Sequence, residues 1–194
     1  MYVLALKFVI RLKQKVYYPP SLKTTIFDFL VGSVHSVDGY LYDMDAFSKE
    51  LLWNKNDPSN IYKSYYGAIE KLIQSNLFDQ VGHPDVIKLY SIDPGYDLHP
   101  TYHHIARLAN EYNIKMEDNT KAHYSYHHPD IGLNADFRNI LKENNVQIVT
   151  ASDAHYPSDV GRCHLNLLDP RIDSSIIFRQ RKRQNLICLC FFID

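Results

Sequence analysis

Two residue types that bind divalent cations follow an apolar segment near position 150. Residues 146–151 read VQIVTA, and Ser152, Asp153, Ala154 and His155 come directly after them. The β-branched apolar run predicts a buried strand that ends at these polar residues. In parallel α/β folds, loops at the C-terminal ends of strands carry the chemistry, because the rigid strand positions them. The segment therefore predicts that Asp153 and His155 share a metal or substrate site.

Two earlier segments repeat this pattern of an apolar strand followed by a histidine. The strand predicted over 27–35 ends in His35, and the strand that begins at Leu77 leads to Gly-His83-Pro-Asp. Histidine and aspartate are typical ligands of zinc, manganese and iron. Grouped on one rim, they could hold two ions about 3.5–4 Å apart, which activate water and stabilise a phosphoryl or acyl oxyanion. We therefore predict a metal site formed by His35, His83, Asp153 and His155.

Each of these residues also has a structural interpretation. His35 could be a buried histidine bonded to the backbone, His83 a turn residue and Asp153 the N-cap of a helix. Three histidine-ended strands in one chain favour the metal interpretation for the set. Glu117, at the end of another predicted strand, is equally compatible with a ligand, a base or a solvated charge.

The segment from Lys121 to Pro129 is rich in histidine and tyrosine. We predict it as a loop, and we name His123, Tyr124, Tyr126 and His128 as candidates to contact a substrate. An exposed loop with no binding role is the alternative, because adjacent histidines cannot easily serve one metal. The histidines at 99, 103 and 104 fall on or before a predicted helix, where surface positions are expected.

Predicted strands and helices alternate along the chain with short connections. The strands are expected at 3–12, 27–35, 77–85, 114–119 and 146–151, and the helices at 60–75, 101–113 and 134–144. This alternation predicts βα units and a mostly parallel sheet. The strand ends that carry His35, His83, Glu117 and Asp153 would then lie on one rim of a barrel.

Composition limits the classes of function that the chain could have. A length of 194 residues suits one domain, and a formal net charge of −1 gives no reason to expect nucleic acid or an anionic membrane as a partner. The three cysteines form neither an even framework nor a zinc spacing, so we expect a reduced, cytoplasmic protein. The N-terminal segment 1–10 is expected to be a strand, and the apolar run 186–193 is shorter than the ~20 residues that span a bilayer.

Four segments of the chain resemble the PHP (polymerase and histidinol phosphatase) superfamily, in its histidinol-phosphatase branch. These segments are Phe29–Gly39, Phe78–Lys88, Met116–Thr120 and Ala151–Gly161, in the order and spacing of that branch. The resemblance implies an α/β fold, a distorted (βα)7 TIM-like barrel, with a metal cluster of usually three ions at the C-terminal rim of its strands. It implies hydrolysis of L-histidinol phosphate, a small phosphorylated metabolite, to L-histidinol and phosphate.

The same resemblance implies roles for individual residues. His35 and His83 correspond to ligands of one metal, Asp153 to a ligand of a second and His155 to a ligand of a third. Asp153 and His155 would therefore be catalytic as well as metal-binding.

The chain departs from the family pattern near its beginning. The His-x-His strand and the Thr-Asp-His motif of the family do not occur in the sequence, and Lys7 takes the place of a metal-bridging glutamate. Relatives often have His-Tyr-Arg-Tyr where this chain has His123-Tyr-Ser-Tyr126, which removes an arginine suited to phosphate. We therefore expect a barrel incomplete at the N-terminus over residues 1–170, followed by a basic and then apolar tail, 171–194, that could be foreign to the fold.

Three hypotheses on function follow. The chain is a histidinol-phosphatase-like, metal-dependent phosphomonoesterase, an inactive remnant that keeps the scaffold and a metal, or another metal-dependent hydrolase on the same barrel. The sequence leaves the oligomeric state open.

Overall fold

The computed structural model describes residues 3–10, 29–163, 167 and 186–191. Within them, six parallel strands form one sheet in the order β7-β6-β5-β2-β1-β8, and β3 and β4 form a small antiparallel hairpin. The strands are β1 (Val3–Ile10), β2 (Phe29–Val34), β3 (Ser36–Val37), β4 (Tyr40–Leu41), β5 (Gln80–Val81), β6 (Lys115–Asn119), β7 (Ile148–Ala151) and β8 (Leu186–Phe191).

Helices connect the parallel strands, as the predicted alternation requires. They are α1 (Asp45–Ser48), which continues as a π-helical turn (Lys49–Trp53), then α2 (Pro58–Gln74), α3 (His99–Glu111), α4 (Lys121–Tyr126) and α5 (Ala135–Glu143), with 3-10 turns at Val86–Tyr90 and Pro157–Asp159. The helices predicted at 60–75, 101–113 and 134–144 correspond to α2, α3 and α5.

Local sequence explains where the helices begin. Asp57 caps α2 by accepting a hydrogen bond from the backbone N–H of Ser59 at 2.7 Å, and Pro58 fits the first turn because it needs no partner for an N–H. Asn134 caps α5 through the N–H groups of Asp136 and Phe137. Both caps satisfy N–H groups of the first turn that have no partner within the helix.

Aromatic side chains form much of the core between the sheet and its helices. Ring contacts connect Tyr42 to Tyr65, Tyr65 to Tyr66, Tyr66 to Tyr102 and Tyr102 to Phe137, with centroids 4.5–5.9 Å apart. Burial raises the pKa of Tyr42, Tyr65 and Tyr66 well above the ordinary value, so these hydroxyls stay protonated.

Gly32 in β2 allows α2 and the following segment to pack closely on the sheet. A Cβ at this position would lie 2.8 Å from ring atoms of Phe78 and 3.1 Å from Leu72. A larger residue would therefore force the Phe78 ring and the Leu72 side chain to shift.

The parallel sheet and its connecting helices confirm the predicted α/β fold class. Strands β7 and β8 are the outermost strands of the sheet, and within the described residues they do not pair with each other. The closed barrel therefore stays a prediction, as does the division of the chain at residue 170. Part of the predicted tail, Leu186–Phe191, forms β8 and pairs with β1.

One local prediction was wrong. The segment 121–129 was expected to be a loop, but Lys121–Tyr126 form α4, whose first N–H groups bond back to Thr120 and Asn119 at the end of β6. The abundance of histidine and tyrosine concealed a short helix because these residues have low intrinsic helix propensity. Over the described residues, no helix has the length and apolar character needed to cross a membrane.

Candidate functional site

The candidate residues follow the C-terminal ends of four neighbouring strands. His35 follows β2, His83 follows β5, Lys121 follows β6 and Asp153 follows β7, and these strands are adjacent in the sheet. Because the strands are parallel, all four ends lie at the same edge. The sheet therefore gathers these side chains, as the sequence predicted for three of them.

His35 and His83 form the first cluster, here called the histidine pair. Their ring centroids lie 4.7 Å apart at an interplanar angle of 80°. His83 is 4% exposed and adopts a left-handed backbone conformation, with φ of 35°. The Tyr65 hydroxyl donates to the His83 carbonyl at 3.1 Å, which holds this unusual turn in place. The fold thus brings together two imidazoles that lie 48 residues apart in the chain.

Asp43 orients the ring of His35. Its Oδ2 lies 3.1 Å from the Nδ1 of His35, and both side chains are 21% exposed. A carboxylate accepts, so this contact assigns the proton to Nδ1 and directs the lone pair to Nε2. Metal-binding histidines show the same arrangement, with a carboxylate that fixes the tautomer and the ring.

Lys121, Asp153 and His155 form the second cluster, here called the lysine cluster. The ammonium Nζ of Lys121 lies 3.2 Å from Asp153 Oδ2 and 2.7 Å from His155 Nε2. The side chains of Lys121 and Asp153 are 20% and 15% exposed. Asp153 and His155 therefore lie together, as predicted, but around a lysine that sequence reasoning had not included.

The loop after β7 is fixed by contacts from α4. The Tyr124 hydroxyl donates to the Ser152 carbonyl at 2.7 Å, and Ser152 Oγ accepts from the Gly161 N–H at 3.0 Å. Burial, together with the charges of Asp159 and Asp153, raises the pKa of Tyr124 to about 12, so the hydroxyl remains a donor. These contacts position Asp153 from both sides of the loop.

The two clusters belong to one region. The buried Tyr42 donates to the Val34 carbonyl at 2.6 Å, directly before His35. Burial is the main cause of its raised pKa, and the charges of both Asp43 and Asp153 add to it. Carboxylates from the histidine pair and from the lysine cluster therefore act on the same hydroxyl.

The two clusters differ in whether a cation already bonds to their donor atoms. Across the part of the chain that the structure describes, no three His, Cys, Asp or Glu side chains are grouped so as to hold a metal. The histidine pair offers two imidazoles and an orienting carboxylate, which is part of a coordination shell. In the lysine cluster, the atoms that would bind an ion already accept hydrogen bonds from an ammonium.

Glu117 has a different environment from either cluster. Its buried carboxylate accepts hydrogen bonds from Gln80 Nε2 at 2.8 Å and from Asn119 Nδ2. These amides lie on the same face of neighbouring strands β5 and β6. The interpretation of Glu117 as a solvated charge is therefore wrong, since the side chain is 5% exposed.

The four predicted substrate residues do not form one group. Tyr124 lies beside the lysine cluster, and Tyr126 is 39% exposed. His123 Nδ1 donates to the His128 carbonyl at 2.7 Å. His128 is buried on another side, near Lys88, where its Nδ1 accepts from the Asp130 N–H at 3.0 Å. Their role in substrate binding stays a prediction, and Tyr124 has the most suitable position.

Sequence reasoning missed Asp43 and Lys121. Asp43 follows His35 across the β3–β4 hairpin, which folds it back onto the histidine. Lys121 stands two positions after the end of β6, the same offset as Asp153 after β7 and His83 after β5. That shared offset was a usable signal, but a lysine was not among the residue types considered as part of a metal site.

Comparisons with known proteins give consistent results. Residues 133–184 match the family model described as PHP-associated. A relative from Deinococcus radiodurans, named probable histidinol-phosphatase, is 30% identical over 164 residues, which cover 81% of this chain and 60% of that protein.

Two solved structures resemble the fold. One, assigned as the histidinol phosphatase HisK of Listeria monocytogenes, matches with a TM-score of 0.64 and 17% identity over 74% of this chain and 58% of that one. The other is the histidinol phosphate phosphatase HisK of Lactococcus lactis subsp. lactis in complex with zinc, L-histidinol and phosphate, with a TM-score of 0.52 and 16% identity over 87% and 60% of the two chains. The chain therefore spans about 60% of the length of each of these proteins.

Proposed function

We propose that the chain is a member of the PHP superfamily, in its histidinol-phosphatase branch, and that its function follows from that family. The proposed activity is metal-dependent hydrolysis of a small phosphate monoester of the L-histidinol phosphate type, to the alcohol and phosphate. The observation that carries the proposal is the histidine pair at the C-terminal edge of the sheet, with Asp43 bound to His35.

His35 and His83 are the residues that would hold a divalent ion in this proposal. Zinc, manganese and iron all suit imidazole ligands, and zinc is present in the Lactococcus lactis structure. Such an ion polarises a phosphoryl oxygen and lowers the pKa of bound water. Asp43 holds the ring of His35 through Nδ1 and leaves Nε2 available as a ligand, and β2 pairs directly with β5, the strand that leads to His83.

The lysine cluster suits the anionic substrate. A phosphate monoester carries negative charge, and Lys121 places an ammonium near the edge where the histidine pair lies. Tyr124 holds the loop that carries Asp153 and contributes a neutral hydroxyl. The finer details of the family fold, a (βα)7 barrel with three ions, and a location in the cytoplasm belong to this proposal and rest on the resemblance.

A second candidate is a metal-binding scaffold that does not turn over substrate. It is favoured by one observation: within the described residues the metal donors come as a pair and not as a set of three. In this alternative the histidine pair still binds an ion, and phosphate release is absent.

The two candidates are separated by measuring zinc content and phosphate release on the same protein. We expect the full chain, loaded with zinc or manganese, to release phosphate from L-histidinol phosphate and to lose metal and turnover together in His83→Ala. His104→Ala is the matched control, because His104 is a surface histidine beside Glu70 with 45% of its side chain exposed. Metal bound through His83 without phosphate release would support the scaffold, and a metal content unaffected by His83→Ala would contradict both.

A further inference from the structure

The lysine cluster places a cation at the point where two predicted metal ligands meet. Lys121 Nζ lies within hydrogen-bond distance of both Asp153 Oδ2 and His155 Nε2. An ammonium only donates, so both partner atoms must accept. Carboxylate oxygens and imidazole nitrogens are also the atoms through which aspartate and histidine bind zinc.

The distances are those of hydrogen bonds and not of coordination. Zinc lies about 2.0–2.2 Å from nitrogen and oxygen ligands, so an ion and the Lys121 ammonium cannot use these atoms at the same time. The separation of 2.7 Å from His155 Nε2 is that of a hydrogen bond, and the 3.2 Å from Asp153 Oδ2 is that of a longer ion pair.

The backbone holds Lys121 in this position. Its N–H donates to Asn119 Oδ1 at 2.9 Å, and the preceding Thr120 N–H donates to the Ala151 carbonyl at the end of β7, also at 2.9 Å. Thr120 Oγ1 donates in addition to the Arg162 carbonyl at 2.8 Å. The start of α4 is thereby fixed beside the loop that carries Asp153, and the lysine side chain needs only to extend across it.

We infer that Lys121 is a resident cation that takes the place of a metal ion at Asp153 and His155. The lysine cluster therefore binds no divalent ion in the wild-type chain, whereas an ion at the histidine pair rests on the proposed function. Replacing the ammonium by an apolar side chain of similar length converts Asp153 and His155 into a zinc site. This inference concerns metal content and holds whether or not the chain turns over substrate.

The test compares zinc binding by the wild-type chain, Lys121→Met and Lys121→Arg. Zinc bound per chain is measured by native mass spectrometry and by calorimetric titration, with circular dichroism to verify folding. Lys121→Met is expected to bind one zinc ion more per chain than the wild type, whereas Lys121→Arg, which keeps the charge, gains none. Adding His155→Ala to Lys121→Met should remove the gain.

The imidazole of His155 gives a second readout that needs no variant at position 121. Ring nitrogen chemical shifts are followed by NMR while zinc is added to the wild-type chain. Those of His35 and His83 are expected to change, and those of His155 are expected to stay constant until the histidine pair is saturated.

A zinc-dependent shift of His155 in the wild type before the histidine pair is saturated would overturn the inference, even if Lys121→Met fails to fold. Equal zinc binding by wild type and folded Lys121→Met would overturn it as well. A lack of phosphatase activity affects the proposed function alone and leaves both readouts interpretable.

Discussion

The histidine pair and the lysine cluster lie at the same sheet edge, but they balance charge in different ways. At the histidine pair, two imidazoles meet beside one carboxylate, and no lysine or arginine bonds to His35 or Asp43 in the contacts of the described residues. At the lysine cluster, a carboxylate and an imidazole meet around an ammonium. The first arrangement can accept an added cation, whereas the second already contains one.

This difference shows that ligand-type residues at a strand end do not by themselves define a metal site. Asp153 and His155 have the residue types and the spacing of ligands, and the fold brings them together. A neighbouring strand then supplies a lysine that satisfies the same lone pairs. The identity of the residue after the adjacent strand therefore decides between coordination and hydrogen bonding.

The largest effect, on zinc affinity, is expected from a change at Asp43, because this carboxylate orients the ring of His35. Asp43→Ala leaves His35 Nδ1 without its acceptor, so the ring loses its fixed tautomer and direction. Loss of such a partner lowers metal affinity or activity by about 10–100-fold. We expect a decrease of that size in the zinc affinity of the histidine pair, measured by calorimetric titration against a competing chelator.

The matched control is Asp97→Ala, because Asp97 accepts from His99 Nδ1 at 2.8 Å in a surface pair with both side chains more than half exposed. This variant should leave zinc affinity unchanged. Equal affinities for Asp43→Ala and the wild type would show that the histidine pair does not bind the ion.

An intermediate effect, on the free energy of unfolding, is expected from a change at Asp153. This change measures how much the lysine cluster contributes to stability. Asp153→Asn leaves the Lys121 ammonium without an anionic partner in a site that is largely buried. Hydrogen bonds to charged groups contribute about 1.5–3 kcal/mol, so urea denaturation should show a decrease in unfolding free energy of about that size.

Asp159→Asn serves as the control, since its partner Arg162 is 53% exposed, and exposed ion pairs contribute about 0–1 kcal/mol. A double-mutant cycle with Lys121→Met isolates the pair from the rest of the loop. A coupling near zero would mean that Lys121 and Asp153 meet without stabilising one another.

The sequence predicted the sheet edge better than the chemistry at that edge. The strands that lead to His35, His83 and Asp153 were found from apolar runs, which buried parallel strands require. The prediction that the last of them is buried was wrong, since β7 is an outermost strand and is only partly buried. The predicted meeting of His35 with His83 followed from strand parallelism, whereas that of Asp153 with His155 followed from their separation by one residue in the same loop. Asp43 and Lys121 were missed because their roles depend on a hairpin and on a strand neighbour, which are tertiary relationships.

Helix α4 was missed for a related reason. Its start is set by Asn119 and by the Thr120 contacts to β7, and not by an amphipathic pattern of its own. A short helix of this kind depends on the ends of the strands around it, so its residues read as a loop until the sheet is assembled.

The smallest effect on stability is expected at His128. A second lysine, Lys88, lies near this imidazole but does not bond to it, in contrast to Lys121 and His155. Lys88 Nζ is instead held by Asp85 and Asp130, both at 2.8 Å, and by the Gly132 carbonyl at 2.7 Å. Burial, and then the charge of Lys88, lower the pKa of His128 below its ordinary value of 6.5. The native state therefore favours the neutral ring, which accepts from the Asp130 N–H.

The direction of the pH dependence follows from this lowered pKa. As pH falls below 6.5, the unfolded chain binds a proton at His128 before the native state does, so this residue makes the unfolding free energy decrease. His128→Asn keeps an acceptor for the Asp130 N–H but does not titrate, and it should reduce the loss of stability between neutral and mildly acidic pH, measured by urea denaturation at several pH values. His99→Asn should act with the opposite sign, because the hydrogen bond to Asp97 raises the pKa of His99, whose contribution is present at acidic pH and is lost as pH rises. If His128→Asn leaves the pH profile unchanged, neither burial nor the charge of Lys88 lowers the pKa of His128 enough to affect stability. A nearby lysine would then influence a histidine in this protein only through a direct hydrogen bond, such as the one between Lys121 and His155.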